Sequence, residues 1–127
     1  MSNEISYQFQ LLLNNGKLKD QYSSPAGAAT QTTAALVRNV QTITAVAPAQ
    51  ALDLGSVVVP GFVVFQNLDT TNFVDIGVYA ALPLPATFYP FIRLKAGEQG
   101  MMRLSTNPPY ALADTTSVKL FYIVYAD

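Results

Sequence analysis

Val118-Lys119-Leu120-Phe121-Tyr122-Ile123-Val124-Tyr125 is the stretch on which the fold of this chain turns. β-Branched and aromatic side chains fill it, the types that suit a pleated surface, and Lys119 is its one charged residue. An antiparallel strand with one wet face alternates apolar and polar residues, whereas here both faces are apolar. One face then belongs to the core of the domain, and the other needs a cover. Phe88-Tyr89-Pro90-Phe91-Ile92-Arg93-Leu94 has the same double character. Pro90 cannot donate to a sheet ladder, so it confines that strand to an edge or a bulge. An aromatic-rich edge invites association unless something covers it. Phe88, Tyr89, Phe91, Phe121, Ile123 and Tyr125 are therefore the expected interface residues. Cover by another subunit is the preferred expectation, with cover from the chain itself as the alternative.

Outward from these two segments, strand signals dominate. Residues 5–13 alternate, with Tyr7, Phe9, Leu11 and Leu13 on one side and Ser6, Gln8 and Gln10 on the other, which predicts a half-buried strand. Asn14-Asn15-Gly16-Lys17 then supplies a tight turn. Residues 21–36 are small and polar without firm periodicity. They are expected as an extended arm or loop ordered by a neighbouring subunit, or as a loop that contacts nothing. A short helix over 26–38 is favoured by alanine and opposed by the threonines. Further strands are expected at 40–47, 51–55, 57–67, 73–79, 88–94, 101–104 and 118–125. Pro60-Gly61 breaks the third of these as a type II turn. The connectors fall at 68–72, 81–87, 96–100 and 105–109. Such short strands without a convincing helix predict an all-β fold, an antiparallel β-sandwich of jelly-roll-like type with an extended N-terminal arm or long loop. Residues 1–20 form a first strand and turn, 21–39 the arm or loop, and 40–127 the sandwich core, in one domain overall.

Composition narrows the function. Half of the chain is apolar, which is ordinary, but only 12% is charged, against about a quarter in a typical soluble domain. Neutral surface of this kind suits a protein packed against neighbours. Seven Lys/Arg and eight Asp/Glu show no basic cluster, so no nucleic-acid partner is expected. The longest apolar runs fall short of the roughly 18–20 residues that a membrane helix needs, and no signal peptide is expected at Met1-Ser2-Asn3-Glu4-Ile5.

The chain has neither cysteine nor histidine, which removes thiolate chemistry and the side chain best placed to exchange protons near neutral pH. A serine nucleophile would stand in a pattern such as Gly-x-Ser-x-Gly, which does not occur. Asp69 and Asp75, flanking what is expected to be the turn of one hairpin, and Glu98 are the carboxylates that glycoside hydrolysis would need. Asp69 in Asn67-Leu68-Asp69-Thr70-Thr71-Asn72 is better explained as a turn residue capping backbone amides. Asn67, Asp69 and Asn72 match no calcium-loop spacing. Glu98 is a turn carboxylate between two glycines. Tyr79, Tyr89 and Tyr110 lie near strand ends and are the candidates for a sugar-binding face, with packing as the simpler role. No catalytic residue, metal or cofactor is expected.

Phe62-Val63-Val64-Phe65-Gln66-Asn67-Leu68-Asp69-Thr70-Thr71-Asn72-Phe73-Val74-Asp75-Ile76-Gly77 resembles small β-sandwich virion proteins of tailed bacteriophages. Phe88-Tyr89-Pro90, the turn Leu94-Lys95-Ala96-Gly97-Glu98, residues 101–125, and Ala51-Leu52-Asp53-Leu54-Gly55 with Pro60-Gly61 continue the likeness. It covers residues 50–127 and consists of strand and turn patterns without a chemical signature. The resemblance implies a non-enzymatic structural part of a virion, made in the host cytoplasm. A capsid decoration (cement) protein stabilising contacts between capsomers comes first, and a tail or fibre-associated adaptor or receptor-binding module second. Its implied partners are the major capsid protein or other virion proteins, with homo-oligomers, trimers foremost.

Overall fold

The structure, a computed structural model, describes residues 4–80, 82–105 and 108–127. Residues 1–3, Ala81, Thr106 and Asn107 lie outside the described residues, and with them the first three residues of the segment expected as strand and turn at 1–20 and parts of the connectors expected at 81–87 and 105–109. Among the described residues 57% are in strands and none is in a helix, so the chain is all-β. It divides between Thr32 and Thr33 into two compact units.

The first unit is one long hairpin, interrupted midway. Strand β1 (Ile5–Tyr7) pairs with β4 (Gly27–Ala29), and β2 (Gln10–Asn15) pairs with β3 (Leu18–Ser23), both antiparallel. Gly16, at φ 57°, and Lys17 close the β2–β3 turn. At the interruption Pro25 has no N–H to give. Ser24 bridges the gap instead: its hydroxyl accepts from the Phe9 N–H at 2.9 Å, and its own N–H donates to the Phe9 carbonyl at 2.8 Å. The half-buried strand expected over residues 5–13 is thus two strands in two ladders, and all six residues of β2 are exposed. The stretch expected as an arm at 21–36 contributes the ends of this hairpin before β5 begins at Leu36.

The second unit holds two four-stranded antiparallel sheets. One runs in the order β10 (Gln99–Arg103), β7 (Pro60–Asn67), β12 (Val118–Ala126), β5 (Leu36–Ile43). The other runs β6 (Gln50–Ala51), β11 (Tyr110–Ala113), β8 (Val74–Ala80), β9 (Thr87–Leu94). Pairing is nested, β5 with β12, β6 with β11, β7 with β10 and β8 with β9, and every connection except β8–β9 crosses between sheets. Both sheets supply one core: Ile43, Val63, Phe65, Leu120, Tyr122 and Val124 from the first meet Val74, Ile76, Leu94, Ala111 and Ala113 from the second. These positions alternate along each strand, as a sandwich requires.

Pro60-Gly61 opens β7 as its first two residues and makes no turn. A proline is tolerated at the first residue of a strand. Gly61 lies where a Cβ would sit 3.1 Å from the Tyr125 carbonyl oxygen and 3.2 Å from Asp127 Cα. The Asn67–Asn72 segment, expected as the turn of one hairpin, instead crosses from the first sheet to the second. Pro90 sits as expected: β9 is an edge strand, and its register with β8 shifts between Ile76 and Gly77.

One buried polar group braces the first sheet. The Tyr122 hydroxyl lies 2.7 Å from the Asp53 carbonyl and 2.9 Å from Gln41 Oε1, both acceptors, and accepts from Asn39 Nδ2 at 3.1 Å. Burial pushes this hydroxyl above its ordinary pKa of 10.0. The folded chain therefore keeps a proton that the unfolded chain releases near that value. Its contribution is fully present below pH 10 and is lost as pH rises through the raised folded value. Tyr122→Phe is expected to cost about 1–3 kcal/mol at neutral pH, because the facing acceptors lose their donor. Urea titrations of both proteins should converge above pH 10 if the hydroxyl is the source.

Candidate assembly surfaces

Chemistry-bearing groups are tied into the framework. Asp69 accepts backbone N–H donors from Asn72 at 2.5 Å and Thr71 at 2.9 Å, and these bonds hold its carboxyl below the usual value. Asp75 forms a two-point ion pair with Arg93 at 2.7 and 2.9 Å, and the guanidinium lies 3.7 Å from the centre of the Phe73 ring. That pairing raises the Arg93 pKa. Glu98 accepts the Lys95 N–H at 2.8 Å within its turn. Among the described residues no three His, Cys, Asp or Glu side chains group as metal ligands. Tyr79 and Tyr110 stack on each other at 5.2 Å, on the outer side of the second sheet.

Apolar surface is where the molecule stands out. Register places Leu11 opposite Tyr22, Leu13 opposite Asp20, and Asn15 opposite Leu18, so these residues share one face of the β2–β3 hairpin. Phe9 joins them by packing on Tyr22, ring centres 5.8 Å apart. The other face carries Gln10, Leu12, Asn14, Lys19, Gln21 and Ser23. The hairpin is therefore amphipathic, yet nothing within its own unit covers its apolar face: Leu11 is 64% and Leu18 61% exposed. A two-stranded hairpin is marginal in water without something to pack on.

The second apolar surface is the outer face of the β10-β7-β12-β5 sheet. Phe121 stands between Val40 and Gln66, Ile123 between Arg38 and Val64, and Tyr125 beside Leu36. Met101 and Arg103 extend the face opposite Val64 and Phe62. Apolar side chains thus run across all four strands, ringed by Arg38, Thr42, Lys119, Gln66, Gln99 and Arg103. Ile123, at the centre, is shielded by its neighbours to 9% exposure, while Leu36, Val40 and Met101 stand open at the sides.

Of the six expected interface residues, Phe121, Ile123 and Tyr125 lie together on this face. Phe88 lies on the other sheet, opposite Tyr79, and Tyr89 and Phe91 are exposed on edge strand β9. Phe91 is the extra residue at the register shift and overhangs a cleft of about 150 Å³ lined by Val78, Met102, Leu104 and Pro109. Phe121, Ile123 and Tyr125 therefore form one patch, separate from the three β9 residues, of which Phe88 and Tyr89 lie on opposite faces of the second sheet. Leu36, Val40, Phe62, Val64 and Met101 escaped the sequence analysis because Leu36 fell in the expected arm and the others lie on separate strands whose partners the sequence does not reveal. The β10-β7-β12-β5 ladder is what gathers them. No protein-family profile, curated protein or solved structure matches the chain.

Proposed function

We propose that this chain is a structural protein of a tailed-phage virion, most simply a decoration protein that stabilises contacts between capsomers. The uncovered apolar face of the hairpin carries this reading. A surface of that kind, on an element too small to be stable alone, is suited to being buried in an assembly. The low charge, the apolar outer face of the first sheet and the resemblance within residues 50–127 support it. The nested pairing of eight strands supports a jelly-roll reading, an architecture shared by many capsid domains. A tail or fibre-associated adaptor is the second reading, favoured by the stacked Tyr79–Tyr110 pair and by the exposed Tyr89 on edge strand β9.

Purified protein is expected to co-sediment with mature capsids lacking it and to raise their resistance to heat or chelator. Capsids that neither bind the protein nor gain stability would overturn the decoration role. A particle map separates the two readings by copy number, hundreds for decoration and few for a tail part.

A further inference from the structure

We propose that the β2–β3 hairpin of one copy lies, apolar face down, on the outer face of the β10-β7-β12-β5 sheet of a second copy. This pairing does not depend on where in a virion the protein resides. The two surfaces match in kind, since each is an apolar field with few charges. They also match in sign. Asp20 is the one charged residue on the hairpin's apolar face, opposite Leu13. Arg38 and Lys119 flank the apolar centre of the sheet face, and among the described residues neither forms a salt bridge, the two ion pairs being Arg93–Asp75 and Arg103–Asp127. Carrying the hairpin onto the sheet brings a carboxylate to two waiting cations, and leaves Lys19, Gln21 and Gln10 facing water.

Size agrees as well. Phe9, Leu11, Leu13, Leu18 and Tyr22 each stand about half exposed or more. At about 100 Å² of free surface apiece, they offer about 500 Å² from the hairpin side, taking half of a large side chain's area. An equal area on the sheet brings the total near the roughly 1,000 Å² that a specific interface needs. The hairpin and the sheet face are different surfaces, so the contact is heterologous. Where its rotation closes, such a contact builds a ring of copies, each giving one hairpin and receiving another.

Light scattering coupled to size-exclusion chromatography of the full chain tests this. Wild type is expected to be a discrete oligomer at micromolar concentration. Leu11→Glu with Leu13→Glu, on the apolar hairpin face, and Val40→Glu, on the sheet face, should each give monomers with unchanged circular dichroism. Leu12→Glu, on the opposite hairpin face, should leave the oligomer intact. Asp20→Lys alone and Arg38→Glu alone should each weaken association about tenfold, and the double variant should recover most of that loss. A monomeric wild type would overturn the proposal, as would an oligomer indifferent to the hairpin substitutions. An oligomer that needs the hairpin but ignores Val40 and Arg38 would mean hairpins packing on each other, and would overturn it equally.

Discussion

Valine in place of Gly77 is expected to unfold the sandwich under conditions where the wild-type protein is fully native. Gly77 is a buried residue of β8, and its backbone dihedrals are not the issue. A Cβ built there runs into the Tyr89 carbonyl oxygen and lies 2.6 Å from Pro90 Cα. Both obstacles are backbone, so no rotamer change relieves them. The cause is the register shift: β9 spends one extra residue, Phe91, between the partners of Ile76 and Gly77, which drives its chain against β8. Pro90 sits at the same point and has no N–H for the ladder. Gly77, Pro90 and the bulge are one device, and its outward product is the exposed ring of Phe91. Overpacking of this kind costs about 3 kcal/mol for alanine and more for valine, against a total stability of about 5–15 kcal/mol. Thermal melts should show Gly77→Ala lowered by about 12–24 °C, at about 4–8 °C per kcal/mol for a unit of this size. Gly100→Ala is the control: the nearest atom to its Cβ is Leu94 Cδ2, at 3.8 Å, and its melt should barely move. Equal melting of the two variants would refute the backbone-clash account.

Much of this architecture was legible because strand sequences report their own faces. β12 announced itself as a strand through apolar residues at every position but Lys119, although its pairing on both sides, with β7 and β5, could not be read from them. Pro90 announced an edge or a bulge, and the strand has both. Pairing between distant strands was not legible. The alternation of residues 5–13 is the same whether the apolar side meets the chain's own core or a neighbour's surface, so an uncovered hairpin looked like a half-buried strand. Pro60-Gly61 has strong turn propensity, but strand pairing with β12 and β10 outweighs it, and a proline at the first strand position loses no ladder bond. β11 went unseen because Tyr110-Ala111-Leu112-Ala113 has little β propensity of its own. It is a strand because it pairs with β8 and β6, with Ala111 and Ala113 facing the core. The second apolar surface was half legible: β12 predicted an outer patch, but only the register adds Val40, Val64 and Met101 to it.

The Asn67–Asn72 crossing yields the other large effect. Asn67 is fully buried, and each polar atom of its side chain is used. Nδ2 donates to the carbonyls of Asn72 at 2.8 Å and Leu94 at 3.0 Å, while Oδ1 accepts the Asp69 N–H at 2.9 Å. Its backbone is also engaged, with Glu98 through the N–H and Gly97 through the carbonyl. One side chain thus joins the end of β7, the crossing to β8 and the end of β9. Asn72 carries the tie onward, donating to Thr116 Oγ1 at 2.8 Å and accepting from Thr115 at 3.0 Å. Asn67→Leu keeps the branching at Cγ, adds some volume, and strands two carbonyls and an amide, at about 1–3 kcal/mol for each buried group left unpaired. A loss of about 4 kcal/mol at neutral pH is expected from urea denaturation. Asn67→Asp keeps the shape and discriminates the cause. It retains the acceptor for Asp69 but turns a carboxylate oxygen toward two carbonyl oxygens, which raises the pKa of the new carboxyl in the folded state. A raised folded pKa means stability present below the unfolded value, about 3.9, and lost as pH rises through the folded one. Measured against wild type at each pH, the deficit of Asn67→Asp should therefore shrink on acidification, while that of Asn67→Leu stays constant. If both deficits follow pH alike, the hydrogen-bond donor at Nδ2 is not what holds the crossing in place.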